Sequence, residues 1–187
     1  MAQNKKLECK NMVYEPAEDT FLLNRAVLAE ARPTDSVLEI GCGKGLICCN
    51  IASKVRTVLA TDMNPHAVWI TRESGVPTIR TDLFRGIKAK FDMVLFNPPY
   101  LPTSEEEKID GWLNYALDGG PSGRETIERF LEDLRSHLSP QGRALLLVSS
   151  LAGLMEIEAL AIADEWDFTW VASERHFFEE LRVLKLF

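Results

Sequence analysis

No Cys-x-x-Cys pair occurs in this chain: its four cysteines stand at positions 9, 42, 48 and 49, and its three histidines, His66, His137 and His176, are scattered. That spacing excludes the common zinc patterns, so no metal site is expected from the chain's own residues. Adjacent Cys48 and Cys49 lie in an apolar stretch and read as small core hydrophobes of a reducing compartment. Long apolar runs are missing too. Nothing approaches the roughly 18 apolar residues of a membrane span, and the opening MAQNKKLECK has no apolar core of signal-peptide length. The expectation is a soluble, cytoplasmic protein with no membrane contact. Excess positive charge is also absent, the formal net charge being −7. A broad phosphate-binding face needs the opposite balance, so direct nucleic-acid binding is not expected. Two loose basic groups, one around Lys5, Lys6 and Lys10 and one around Arg80, Arg85, Lys88 and Lys90, read as solvated surface. Repeats and low-complexity tracts are lacking as well.

What remains has ordinary globular proportions, 46% hydrophobic and 26% charged over 187 residues, enough to bury about 70% of the unfolded surface as one domain over 1–187. Residues 1–12 are expected to form a flexible N-terminus. Short apolar or β-branched runs then alternate with amphipathic segments. SVLEI (36–40), TVLATD (57–62), TIRTD (78–82), DMVLFN (92–97) and RALLLVSS (143–150) read as strands. A helix is expected from about Leu46, and another after Asn64-Pro65, a cap followed by a first-turn proline. Residues 124–138 give the clearest helix, because Ile127, Phe130, Leu131, Leu134 and Leu138 fall on one face. Pro140-Gln141-Gly142 is expected to stop it. A further helix covers about 153–165, and DFTWVASERHFF with ELRVLKLF closes the chain as two antiparallel strands. Alternation of this kind predicts an α/β fold: a seven-stranded, mostly parallel sheet, helices on both faces, and a C-terminal antiparallel hairpin.

Ligands of such sheets sit at the carboxyl ends of the strands, so the residues there matter most. The first strand ends in EIGCGKG. It is not a P-loop, because Lys44 lies between glycines and no Ser or Thr follows it. Nor is it G-x-G-x-x-G, because position 46 is Leu. A G-x-G-x-G turn after Glu39 remains, with Asp62 ending strand two about 20 residues beyond Gly41, where an acid can accept both ribose hydroxyls. Asp82 ends strand three, placed for an exocyclic amine. These parts suit a nucleoside ligand without pyrophosphate, and S-adenosylmethionine fits them best. The alternative is that they are only turn and cap residues. Strand four ends in Asn97-Pro98-Pro99-Tyr100. There the Asn97 side-chain carbonyl and the Pro98 carbonyl could hold one –NH2 group by both hydrogens, with Tyr100 covering a planar group. A rigid turn closing a buried strand is the plainer alternative.

With these residues in place the chain resembles the Rossmann-like S-adenosylmethionine-dependent methyltransferases. VYEPAEDTFLL (13–23) and LDGGPSGRE (117–125) are similar to the archaeal and eukaryotic branch of HemK-like release-factor glutamine methyltransferases. The resemblance implies N5-methylation of the GGQ glutamine in a class 1 translation release factor. It places cofactor contacts on Thr20, Glu39, Gly41, Asp62, Asp82, Leu83 and Asn97. Amide binding falls on Asn97 and Pro98, with Pro99 and Tyr100 completing the motif. It also implies a small zinc-binding activator subunit, forming a heterodimer along the 78–82 edge strand, flanked by Val76 and Leu83. Only about a dozen residues precede the Tyr14 segment, so release-factor docking is expected to differ from that of bacterial members, which carry an extra helical domain. The competing readings are methylation of an adenine or guanine amino group and a non-catalytic cofactor-binding scaffold.

Overall fold

The computed structural model describes residues 12–187, so the flexible N-terminus expected over 1–12 lies, Met12 apart, outside the described residues. Seven strands form one sheet in the order β3-β2-β1-β4-β5-β7-β6. They are β1 (Ser36–Ile40), β2 (Thr57–Asp62), β3 (Thr78–Arg80), β4 (Phe91–Phe96), β5 (Leu138–Ser149), β6 (Phe168–Arg175) and β7 (Glu180–Leu186). The first five run parallel, and β7 is antiparallel to both β5 and β6. The helices are α1 (Glu18–Glu30), α2 (Leu46–Ile51), α3 (Pro65–Glu73), α4 (Trp112–Leu117), α5 (Glu125–His137) and α6 (Leu154–Ala163).

Period-two alternation splits each central strand between two cores. Val94, Phe96, Leu146 and Leu184 pack with Ile127, Phe130 and Leu134 of α5 and with Ile157 of α6. Met93, Leu95, Leu147 and Val183 point the other way, onto Leu22, Leu23 and Val27 of α1 and Ile47 of α2. Helices therefore cover both faces, and β1 and β4 are buried strands throughout their central residues.

Several elements depart from the sequence expectation. Helix α5 ends at His137, one residue early, because Leu138 pairs with Phe91 and opens β5. The Pro140–Gly142 segment is accommodated by a register slip between Phe91 and Met93, so it is an irregularity inside the strand rather than a break before it. Helix α4 was not anticipated. It is only six residues long, too short for a helical period to show, and none of its residues is buried. The edge strand β3 stops at Arg80, short of Asp82. Val76 and Leu83, expected to flank an exposed edge, are both buried, because they turn inward beside the strand. Ile79 (44% exposed) is the apolar side chain that β3 presents, with Trp69 and Met63 exposed nearby.

Candidate active site

The strand order reverses between β1 and β4, and a cavity of about 670 Å³ opens at their carboxyl ends. Its floor is the turn after β1. Gly41, Gly43 and Gly45 all have positive φ (66°, 54° and 77°), a region open to glycine at no steric cost. A Cβ on Gly43 would meet nothing within 4 Å, so its bareness leaves space for a ligand, whereas one on Gly45 would strike Thr71 at 2.9 Å. The glycines thus serve two purposes: access at 43 and close packing at 45.

Two carboxylates brace this turn. Glu39 is buried and accepts from the Cys48 N–H at 2.8 Å, tying β1 to the first turn of α2. Burial pushes its pKa up to about 8, against the pull of that hydrogen bond. Asp62 accepts from the Gly43 N–H at 2.9 Å and the Asn64 N–H at 2.8 Å. Burial raises its pKa as well, and the backbone N–H groups oppose the rise. Asn64 caps α3 through the His66 N–H and donates to the Met12 carbonyl at 2.9 Å, so the start of the described chain crosses this end of the cavity.

On the far wall Asp82 and Leu83 both line the cavity. Asp82 is ion-paired to Arg129 of α5 at 2.5 Å. Leu83 has φ +45°, a left-handed conformation that costs a leucine on the order of 1 kcal/mol or more. Strain held at a cavity wall marks a residue placed by its surroundings. Trp112 and Tyr115 of α4 close the same side, their rings 5.4 Å apart.

The other end of the cavity holds Asn97, Pro98, Pro99 and Tyr100, together with Thr20 and Asp19 from the start of α1. Asn97 donates from Nδ2 to Asp19 Oδ2 at 3.0 Å. Its Oδ1 is buried and, among the described residues, meets no partner. Among the described residues no backbone donor reaches the Pro98 carbonyl. Two acceptors on consecutive residues are therefore left without a partner. Tyr100 packs against both cores, and burial, reinforced by the Asp19 charge, raises its phenol pKa so that it stays protonated.

The LDGGPSGRE segment acts on this motif through its backbone. Leu101 N–H donates to the Leu117 carbonyl and Gly119 N–H to the Leu101 carbonyl, at 3.1 and 2.9 Å. A Cβ at Gly123 would lie 2.5 Å from the Tyr100 carbonyl oxygen, and one at Gly119 would lie 2.9 Å from Tyr100 Cα. Close backbone approach is the reason for glycine at both positions.

The structure thus brings Thr20, Glu39, Gly41, Asp62, Asp82, Leu83, Asn97, Pro98, Pro99 and Tyr100 to one cavity. Sequence reading passed over Asp19, Tyr14, Trp112 and Glu179, which line it too. In the sequence Asp19 looks like an ordinary first-turn acid; only Tyr14, which donates to it at 3.1 Å from five residues earlier, hints at more. Among the described residues no group of His, Cys, Asp and Glu is arranged to hold a metal ion, and no helix is long and apolar enough to cross a membrane.

A doubly wound sheet with a glycine turn after β1, acids beside it and N-P-P-Y after β4 defines a Rossmann-like methyltransferase. Residues 19–111 match the family model of the Methyltransferase small domain. The Methanocaldococcus jannaschii protein MJ0928, named for protein N5-glutamine methyltransferase activity, is 45% identical over 81% of this chain and 79% of its own length. Methyltransferase HEMK2 of Homo sapiens is 36% identical over 70% of this chain and 68% of its own. Among solved structures, the E. cuniculi Mtq2-Trm112 complex, described as methylating the eRF1 translation termination factor, superposes with a TM-score of 0.77. That match has 28% identity over 93% of this chain and 97% of that one. The chain belongs to the HemK-like protein methyltransferase family of which MJ0928 and HEMK2 are members, and it is an enzyme of that class.

Proposed function

We propose that this enzyme transfers the methyl group of S-adenosylmethionine to the N5 side-chain amide of the GGQ glutamine in a class 1 translation release factor. The observation that carries the reading is the pair of open acceptors, Asn97 Oδ1 and the Pro98 carbonyl, at the end of a nucleoside-sized cavity. The cofactor supplies an electrophilic methyl on sulfonium. Asp62 accepts from ribose hydroxyls, and Gly41 lets the ligand approach the backbone. Glu39 holds the loop through the Cys48 N–H, while Thr20, Asp82 and Leu83 shape the remaining wall. Asn97 Oδ1 and the Pro98 carbonyl each accept one hydrogen of the glutamine –NH2, which aims the nitrogen lone pair along the transfer axis. Pro99 stiffens the turn, and Tyr100 lies over the planar amide. Such positioning supplies about 7–11 kcal/mol toward the barrier without a strong base.

The β3 edge, with Ile79, Trp69 and Met63 exposed, is where a small zinc-binding activator subunit pairs, forming a heterodimer and covering an unpaired strand. The Mtq2-Trm112 complex is the precedent that supports this. The cytoplasm, where translation factors are met, is the proposed compartment.

Labelled methyl transfer tests the reading, using GGQ and GGA forms of a release factor with and without the activator. Label on the GGQ form alone is expected. Equal labelling of both forms, or label confined to nucleic acid, rejects it. Calorimetry adds a separate check: Asp62→Ala weakens cofactor binding about 100-fold through lost charged hydrogen bonds.

A further inference from the structure

We propose that Asp19 is a positioning residue that fixes which end of the Asn97 carboxamide meets the acceptor amide. The proposal rests on reading Asn97 as the group that holds that amide. Asp19 is 4% exposed and projects from the first turn of α1, where the helix dipole favours a negative charge. Its Oδ1 accepts from the Thr20 N–H and, at 3.1 Å, from the Thr20 hydroxyl. Its Oδ2 accepts from the Tyr14 hydroxyl at 3.1 Å and from Asn97 Nδ2 at 3.0 Å. Both oxygens are therefore engaged, and the carboxylate is held on two sides.

A carboxylate can only accept. The end of Asn97 that touches it must be the –NH2, since the opposite orientation would set oxygen against oxygen in a buried place. The carbonyl is thereby turned away and left without a partner among the described residues. Nothing else in the structure rewards that orientation. A free asparagine would rotate to satisfy its carbonyl, and the site would then present a donor beside the Pro98 carbonyl to a group that needs two acceptors. Asp19 thus selects for an –NH2 acceptor without touching it.

Asp19→Asn is the informative variant because it changes shape least. The Thr20 N–H still needs an acceptor, so the new –NH2 falls at the Oδ2 position, facing Asn97. Asn97 then turns its carbonyl toward residue 19 and its –NH2 toward the acceptor. With the activator co-expressed and a release factor as substrate, kcat falls about 100-fold. KM for the release factor and the cofactor Kd stay within threefold. Combining Asp19→Asn with Asn97→Asp puts a donor at 19 and acceptors at both positions of 97, and regains at least tenfold over Asp19→Asn. A kcat for Asp19→Asn within threefold of the parent overturns the proposal. So does a double variant whose loss equals the two single losses multiplied.

A second measurement needs no substrate. The Asn97 side-chain –NH2 signal in an ¹⁵N spectrum, assigned by its absence in Asn97→Ala, exchanges slowly in the parent and at least tenfold faster in Asp19→Ala. Equal exchange in both overturns the proposal. A parent enzyme that fails to label the release factor, yet shows slow exchange lost in Asp19→Ala, rejects the substrate and leaves Asp19 in its role.

Discussion

At the amino ends of the central strands Asp35, Asp92 and Arg143 are tied to one another and to their neighbours, whereas at the carboxyl ends Glu39, Asp62 and Asn97 carry unspent capacity. Arg143 and Asp35, each 3% exposed, are paired at 2.8 Å, and Arg143 also donates to the Glu30 carbonyl and to the Asp92 carbonyl at 3.2 Å. Asp92 accepts from Ser36 N–H and hydroxyl, Ser139 hydroxyl and Arg56. Its pKa is lowered to about 2, the Ser139 hydrogen bond being the largest cause. Across the sheet Glu39 is pushed up instead, because burial outweighs its one hydrogen bond. The same polypeptide ladder thus joins an end built to hold together and an end built to receive something.

The contrast is sharpest in two truncations of opposite kind. Asn97→Ala is expected to lower transfer by 10³-fold or more, as loss of a directed acceptor does at a reacting centre. Its melting temperature should fall only modestly, because the lost carbonyl had no partner among the described residues and Asp19, deprived of the Asn97 –NH2, keeps its donors from Tyr14 and Thr20. A large drop in melting temperature would place Asn97 with the stabilising end. Arg143→Ala should do the reverse: about 3–5 kcal/mol lost in urea unfolding, since Asp35 is left buried and unpaired, with cofactor affinity in the surviving folded fraction unchanged.

Two carboxylate-to-amide changes test the comparison through pH. Glu39 has a folded pKa near 8, above its unfolded value. The folded chain therefore holds a proton that the unfolded chain has released, and stability falls as pH rises from about 5 through 8. Glu39→Gln removes that slope and stabilises the ligand-free protein by about 1–3 kcal/mol at pH 8, with little effect at pH 4. Denaturant midpoints across that range check it. Asp92 has the opposite sign: its folded pKa is depressed, so its stabilisation is full above about pH 4 and is lost as pH falls through about 2. Asp92→Asn should lose only about 1 kcal/mol at neutral pH, because the side chain is partly open to water, and nothing below pH 2.

Legibility in the sequence followed locality. The α5 stripe of Ile127, Phe130, Leu131 and Leu134 is fully buried as its spacing predicts, and the parallel order could be read because each strand announces itself within six or so residues. The start of β5 at Leu138 could not be read, since it depends on pairing with Phe91, far away in the chain. Helix α4 is six residues long, less than two turns, and shows no period that could be told from an apolar loop. At the site, Asn97 and Asp62 stood out by motif and strand end. Asp19 did not, because its meaning lies in a hydrogen bond to a residue 78 positions later. The first strand of the closing pair is expected to run through Phe178, but β6 ends at Arg175, and Phe177 and Phe178 are almost fully exposed in the link beyond it.

The backbone contact between Gly123 and Tyr100 sets a rule for substitution tolerance along 117–125. A saturation library across that segment would show a comb rather than a gradient. Positions 119 and 123 admit no side chain at all, while exposed Pro121, two residues from each, accepts many. Activity lost at Gly123 would be recovered only by a change in the path of residues 100–102, so the two segments are free to vary only as a pair.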